Sequence, residues 1–174
     1  MESKGYRIEP AQVAHLPTLQ AIERAAAELF PAWVIPQALR ESVLPMKMLA
    51  AAQREGRLWV ALAPDRAPVG FVIAREWGDV AFLSELDVHP DHQCRGLGRA
   101  LVKRAAEWAA ARGFPALTLT TFANLPWNAP FYERLGFQRL TRSELSVDLA
   151  RLLREEARRG LRERVAMRLT LTAD

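Results

Sequence analysis

Residues 88–101 read Val-His-Pro-Asp-His-Gln-Cys-Arg-Gly-Leu-Gly-Arg-Ala-Leu, and this stretch narrows the possible folds more than any other. An apolar run ends at Val88, a turn follows, and two glycines two residues apart lead into a helical pattern. Gly96 and Gly98 carry no Cβ, so backbone N–H groups there can approach a ligand that a side chain would hold off. Free N–H groups at a helix start, with the helix dipole behind them, form a site for phosphate. Arg95 and Arg99 add fixed positive charge beside it. The fold must therefore deliver a strand, a tight turn and a helix start in direct succession, and the expected ligand bears phosphate.

Two familiar glycine loops are excluded. A P-loop requires Gly-Lys-Ser/Thr after its spacer, whereas Gly98 is followed by Arg99 and Ala100. The dinucleotide fingerprint requires a third glycine where Leu101 stands, and an acid about 20 residues further on. The form present is Gln93-Cys94-Arg95-Gly96-Leu97-Gly98. It is preceded by the strand-like run Phe82-Leu83-Ser84-Glu85-Leu86-Asp87-Val88 and followed by Ala116-Leu117-Thr118-Leu119-Thr120-Thr121. Then comes Asn124-Leu-Pro-Trp-Asn-Ala-Pro-Phe-Tyr-Glu-Arg-Leu-Gly-Phe137. Together these segments resemble the GNAT N-acetyltransferase superfamily. The loop corresponds to its pyrophosphate loop, and Phe131-Tyr132-Glu133-Arg134-Leu135-Gly136-Phe137 to its second signature. The two lie about 35 residues apart, as one helix and one strand between them require. The resemblance is strong over residues 58–140 and rests on topology alone in the flanks.

The resemblance implies an α/β fold of mixed α+β type: a central mixed, mostly antiparallel sheet of about six to seven strands, with helices on both faces. It implies acetyl-CoA as co-substrate, no metal, and an amine acceptor. The backbone of Leu86, Asp87 and Val88 is expected to pair with the pantetheine arm, and Gln93, Cys94, Arg95, Gly96, Leu97, Gly98 and Arg99 to hold the pyrophosphate. Many relatives carry Asn seven residues before the tyrosine and Ala four before it. Here those positions are Leu125 and Asn128, with Asn124 one residue off. Asn124 or Asn128 is expected to contact the coenzyme or line the acceptor pocket.

Length and composition agree with a single domain over residues 1–174. The chain has no apolar run of 18 residues, and Met1-Glu2-Ser3-Lys4-Gly5 has no apolar leader pattern, so neither a membrane span nor a secretory signal is expected. The one cysteine, Cys94, fits a reducing cytoplasm. A bias toward Arg and Ala suggests a bacterial source. The net charge of +4 resides between Arg139 and Arg168, where nine arginines face five acids. Interleaving with Glu155, Glu156 and Glu163 reads as a solvated helix face rather than a nucleic-acid surface. A homodimer is left open.

Alternation marks a first strand at residues 6–9. Val13, Leu16, Leu19, Ile22, Ala26 and Leu29 mark an amphipathic helix over 11–30. Further helix is expected over 37–54, interrupted near Pro45. Strands are expected at 58–63, 69–77 and up to Val88, then a helix from Gly96 burying Leu97, Leu101, Ala105 and Trp108, with Gly113 at its end. A strand over 137–142, a helix over 147–159 and a last strand over 165–171 complete the order.

Acetyl transfer from a thioester to an amine needs a neutral amine, a stabilised oxyanion and a proton for the leaving thiolate. The family takes the oxyanion's N–H donor from the central strand, at or beside Val88. Tyr132 is the candidate acid: it is turned about 100° from the face that Phe131 and Leu135 share, toward a cleft. A tyrosine that merely packs its ring is the plainer alternative. Glu85, on one strand face with Asp87 and opposite Ser84, Leu86 and Val88, is the candidate base. Water held by Ser84, or Glu28 on the first helix, are the other candidates. A covalent route through Cys94, with His89 or His92, lacks an orienting third residue, so transfer is expected to be direct. His89 and His92 lack a convincing third metal ligand. Phe30, Trp33 and Trp127 are aromatic candidates for a pocket wall. A domain that binds the coenzyme without turning it over is the alternative function.

Overall fold

In the computed structural model residues 5–171 are described, so residues 1–4, part of the stretch without a leader pattern, lie outside the described part. Strand β1 (Arg7–Pro10) leads through a single 3₁₀ turn into helix α1 (Leu16–Ala27). Short helix α2 (Gln37–Arg40) and helix α3 (Met46–Arg54) follow, then strands β2 (Leu58–Leu62), β3 (Pro68–Trp77) and β4 (Val80–Val88). The glycine turn opens helix α4 (Leu97–Ala111), followed by β5 (Ala116–Phe122), α5 (Ala129–Glu133), β6 (Gln138–Arg139), α6 (Val147–Arg158) and β7 (Arg164–Thr170).

The first helix is shorter than its apolar pattern. Val13 stands in the 3₁₀ turn and is 68% exposed, while Leu16, Leu19, Ile22 and Ala26 are buried. At the other end Leu29 and Phe30 donate three residues back, to Ala26 O and Ala27 O, and Pro31 disfavours helix at the residue before it. The strand expected over 137–142 contracts to Gln138–Arg139, at the sheet edge beyond β7.

The seven strands form one sheet in the order β1-β2-β3-β4-β5-β7-β6, antiparallel except where β4 meets β5. One face is covered by α4, whose Leu97, Leu101, Val102, Ala105 and Ala109 pack on inward residues of β2–β5. On the other face α1 and α3 seat Leu19, Ile22, Leu49 and Ala52 on Leu58, Val60, Phe71 and Ile73. Helix α6 covers the far side of that face, with Leu149 against Phe82 and Ala166. Between α1 and α6 the second face opens into a cavity.

Two features of β4 shape that opening. Strand β4 pairs with β5 only at Ala81 with Leu117 and Phe82 with Thr118. Beyond Phe82 the two strands part. In addition, Ile73 of β3 pairs with Glu85 but Ala74 with Leu83, which leaves Ser84 as a one-residue bulge. A bulge reverses the in–out alternation. Ala81 and Leu83 point to the α4 face before it, and Leu86 and Val88 pack on that face after it. Glu85 and Asp87 are thereby turned to the opposite side, into the cavity.

Gly70 of β3 sits opposite Val88. A Cβ there would lie 2.9 Å from Asp87 O and 3.2 Å from Val88 Cγ2. Gly70→Ala is therefore expected to lower stability by about 1–3 kcal/mol, read as a lower urea midpoint with an unchanged slope. An unchanged midpoint would show that β3 and β4 do not approach this closely.

Candidate active site

The cavity has a volume of about 850 Å³ and runs from α1 and the segment before α3, across the parted β4–β5 edges, to α6. Its floor carries Glu85 and Asp87, and its walls carry Glu23, Asn128, Tyr132 and Arg164. In an antiparallel strand alternate residues direct both N–H and C=O to one side. With β3 occupying one side of β4, the other groups of residues 83–88 face the gap where β5 no longer pairs. Backbone groups at such an edge take a partner from whatever fills the gap.

At the end of that edge lies the glycine turn. Cys94 (φ 58°) and Gly96 (φ 77°) both adopt left-handed backbone. The first backward bond of the helix is Ala100 N–H to Gly96 O at 3.1 Å. The N–H groups of Leu97, Gly98 and Arg99, one turn earlier, have no acceptor within the helix. The two glycines serve different purposes. Gly96 provides the left-handed turn, whereas a Cβ on Gly98 would sit 3.2 Å from Phe131 Cζ, so its bareness lets α5 pack on α4. Gln93 Nε2 donates to Val88 O at 3.3 Å and ties the loop back to the strand. His89 Nδ1 accepts from Asp91 N–H at 3.3 Å, and His92 Nδ1 lies 2.9 Å from the Tyr6 hydroxyl. Cys94 is exposed.

Glu85 and Asp87 are half-buried, with Asp87 Oδ2 out of reach of solvent, and both are harder to ionise than usual. Burial pushes Glu85 up to about 7, helped by the charge of Glu23 and opposed by Arg164. Asp87 is raised well above its ordinary range by burial, then by Glu85 and Glu23. Glu23 is raised by burial, against a 2.8 Å hydrogen bond from Leu44 N–H to its Oε2. The phenol of Tyr132 is raised by burial and by the charges of Glu85 and Asp87, so it stays protonated at any working pH. Its ring is buried against Phe131 and Phe137, at centroid distances of 5.1 and 5.5 Å. Phe131 and Leu135 are only partly buried beside it.

Glu85, Asp87, Leu86, Tyr132 and Asn128 all line this cavity. Asn128 Nδ2 donates to Thr121 Oγ1 at 2.9 Å, and its Oδ1 is buried with no partner. Asn124 does not join them. It is exposed, and its Nδ2 donates to Glu163 Oε2 at 3.0 Å. Ser84 lines the cavity from the bulge, and Glu28 is exposed outside it. Of the three aromatics, Phe30 lines the cavity, while Trp127 and Trp33 are 47% and 65% exposed.

Sequence reasoning missed Glu23, Arg164 and Glu156. Arg164 is clamped by Glu156 at 3.0 Å and by the carbonyl of Thr120 at 3.1 Å. Glu156 also accepts from Thr120 Oγ1 at 2.7 Å and is buried, not part of a solvated face. The signal was present: Glu23 and Glu156 both fall on the apolar stripe of their helices. A charge kept inside such a stripe needs a partner or a purpose.

A sheet parted at its centre, beside a glycine turn with free N–H groups and an acid–base cluster, suits an acyl group carried on a nucleotide thioester. The acetyltransferase (GNAT) family matches residues 19–137, and the chain belongs to that family. It is an acetyl-CoA-dependent N-acetyltransferase. The [ribosomal protein bS18]-alanine N-acetyltransferase of Salmonella typhimurium is 32% identical over 117 residues, covering 67% of this chain and 79% of that one. Several other relatives are matched over less than two thirds of their own length. The crystal structure of the ribosomal-protein-S18-alanine N-acetyltransferase of Escherichia coli superposes with a TM-score of 0.66 at 25% identity, covering 96% of this chain and 94% of that one. A PaiA N-acetyltransferase of Thermoplasma acidophilum, solved with coenzyme A, shares the fold with a TM-score of 0.73 at 16% identity, covering 95% and 98%. Among the described residues no helix is long and apolar enough to cross a membrane.

The raised pKa of Glu85 has a consequence for stability. The folded chain holds its proton up to about 7, against 4.5 for an ordinary glutamate. Folded protein therefore binds more protons than unfolded protein between these values, and stability falls as pH rises through that window. Glu85→Gln removes this cost. The variant is expected to gain on the order of 1–3 kcal/mol at pH 8 and little at pH 4.5. Urea denaturation at the two pH values checks this, and a gain equal at both would show that ionisation of Glu85 carries no such cost.

Proposed function

We propose that the chain transfers acetyl directly from acetyl-CoA to the α-amine of a polypeptide N-terminus, with Glu85 as base and Tyr132 as donor to the leaving sulfur. The observation that carries this reading is the meeting of Glu85 and Tyr132 in one cavity, beside the parted edge of β4. Three features of this chain suit the coenzyme. The unpaired edge at Leu86, Asp87 and Val88 offers N–H and C=O groups to the pantetheine amides. Asn128 Oδ1, buried and without a partner, suits an N–H donor such as one of theirs. The loop from Gln93 to Arg99, turned by Gly96, offers its N–H groups and the positive charge of Arg95 and Arg99 to the pyrophosphate.

Glu85 near 7 is matched to its task. An α-ammonium group has a pKa of about 8 and a lysine about 10.4. Removing a proton to a base at about 7 is therefore uphill by roughly one pKa step for the first and more than three for the second. This, with the likeness to the Salmonella enzyme over most of its length, favours an N-terminal amine.

The neutral amine attacks the thioester carbonyl, and the C–N bond forms as the oxygen takes negative charge. A backbone N–H of β4 at or beside Val88 stabilises that oxygen. The C–S bond then breaks. Of the two protons the ammonium gives up, one ends on the coenzyme thiol and the other leaves to solvent through Glu85. Tyr132 is too weak an acid to give up its proton outright. Its hydroxyl donates a hydrogen bond that strengthens as charge grows on sulfur. A domain that only held the coenzyme would need the loop and the β4 edge, but neither Glu85 nor Tyr132.

The test is release of free thiol from acetyl-CoA with N-terminally free peptides. Tyr132→Phe is expected to lower kcat by roughly one to three decades with CoA affinity nearly intact, because only the hydroxyl is lost. Glu85→Gln is expected to fall at neutral pH and recover as pH rises and the amine loses its own proton. A wild-type rate for Tyr132→Phe would return the tyrosine to a packing role, and an unchanged pH profile for Glu85→Gln would remove it as the base. At the loop, Gly96→Val is expected to abolish the thermal stabilisation by CoA, which in the parent is about 2.7 kcal/mol at a hundred times Kd. A folded Gly96→Val protein that keeps the full shift would take the loop out of the binding site.

A further inference from the structure

We infer that Glu23 of α1 selects a positively charged acceptor, completing with Glu85 and Asp87 a three-carboxylate cradle for its ammonium group. The inference rests on the reading of this cavity as the acceptor site and adds the residue that decides which amines enter it.

Three observations carry it. First, Glu23 is held in place. Its Oε2 accepts from Leu44 N–H at 2.8 Å, and Gln20 of the same helix donates to Leu44 O at 2.8 Å. The two side chains grip both polar groups of one residue in the segment that roofs the cavity. Second, its charge reaches both floor carboxyls, raising Glu85 and Asp87 alike. Third, Asp87 Oδ2 is buried, and the side chain meets only another carboxyl, that of Glu85. Two carboxyls facing one another away from water are costly, and among the described residues no cation forms an ion pair with Asp87.

Three of the four arginines that line the cavity are engaged elsewhere, and the fourth, Arg159, is exposed. Arg164 is bound to Glu156 and Thr120. Arg57 is bound to Glu55 and to Ala74 O. Arg75 lies over the rings of Trp77 and Phe82. Of the four acids lining the cavity Glu156 is taken by Arg164, which leaves Glu23, Glu85 and Asp87 facing Arg164 and the exposed Arg159. A primary ammonium carries three N–H donors on one compact charge, which suits three carboxyls converging from a helix and a strand. Phe30, Ile35, Leu39 and Leu44 line the same cavity and suit a short apolar group behind the nitrogen.

The test uses n-butylammonium and its neutral counterpart N-butylacetamide, titrated at pH 7 into the CoA-loaded protein. Parent protein is expected to bind the cation at least tenfold more tightly. In Glu23→Gln the amide oxygen still accepts from Leu44 N–H, so the roof stays gripped while the charge is lost. That variant is expected to show a preference of threefold or less with CoA affinity unchanged. Equal binding of the two probes by the parent, or a tenfold preference kept by Glu23→Gln, would overturn the inference. If the charge preference depends on Glu23 but no N-terminally free peptide releases thiol, the N-terminal reading fails and the role of Glu23 stands. If peptides turn over without that preference, the role of Glu23 fails and the N-terminal reading stands.

Discussion

A seven-stranded sheet that gives up pairing between its two central strands leaves backbone hydrogen-bonding groups unmet in the middle of the molecule. Strands β4 and β5 share only two paired positions, at Ala81–Phe82 and Leu117–Thr118, before they part. Edges of this kind usually sit at the rim of a sheet, where charge, proline or a bulge blunts them. Here the edge is internal. It is flanked by α4 on one face and by the cavity on the other, so its free N–H and C=O groups favour an extended, amide-bearing ligand over water alone. The bulge at Ser84 belongs to the same device. It turns Glu85 and Asp87 into the cavity while Leu86 and Val88 keep the α4 face sealed. One residue of slippage thus sets both where a coenzyme arm can lie and where the acids stand.

The acids stand in an environment that works against their charge. Burial dominates the shift of Glu85, Asp87 and Glu23 alike, and mutual repulsion adds to it for the two on β4. Arg164 relieves part of this for Glu85, but it is itself neutralised by Glu156 at 3.0 Å. The fold therefore carries a local electrostatic cost at this point while the surrounding sheet is well packed. Costs of this type collect at functional sites.

Much of this was legible in the residues. The loop and the strand before it were read from glycine placement and an apolar run, whereas the Tyr132 helix and the mixed, mostly antiparallel sheet followed from the resemblance to the family. Simple alternation put Glu85 and Asp87 on one face against Ser84, Leu86 and Val88, which holds for Leu86 and Val88 but not for Ser84, which lines the cavity from the bulge. It could not foresee the bulge, because Ser84 carries no bulge signal and the slippage is set by pairing with Ile73 and Ala74 of β3. The choice between Asn124 and Asn128 was also beyond it. That depends on Glu163, 39 residues away along the chain, which takes the side chain of Asn124. Glu23 and Glu156 were hidden for a different reason. Their places on apolar stripes marked them as needing partners, but which partners, and that they line one cavity, follows only from the gap between α1 and α6.

The raised pKa values also bear on how the site changes when an acceptor arrives. Glu85 and Asp87 hold the Tyr132 phenol above its ordinary value by their negative charge, after burial. An ammonium group among the carboxyls acts in the opposite direction, since a nearby positive charge favours the ionised form of every acid around it. It lowers Glu85 toward a stronger preference for the carboxylate, which readies the base when there is a proton to take. It also lowers the phenol, making Tyr132 a better donor to sulfur than in the empty site. Once the proton has passed to Glu85, that carboxyl is neutral and the repulsion between Glu85 and Asp87 is relieved. The cluster that is costly in the free protein is thus balanced by a cationic acceptor, and a neutral molecule of the same shape gains nothing from it.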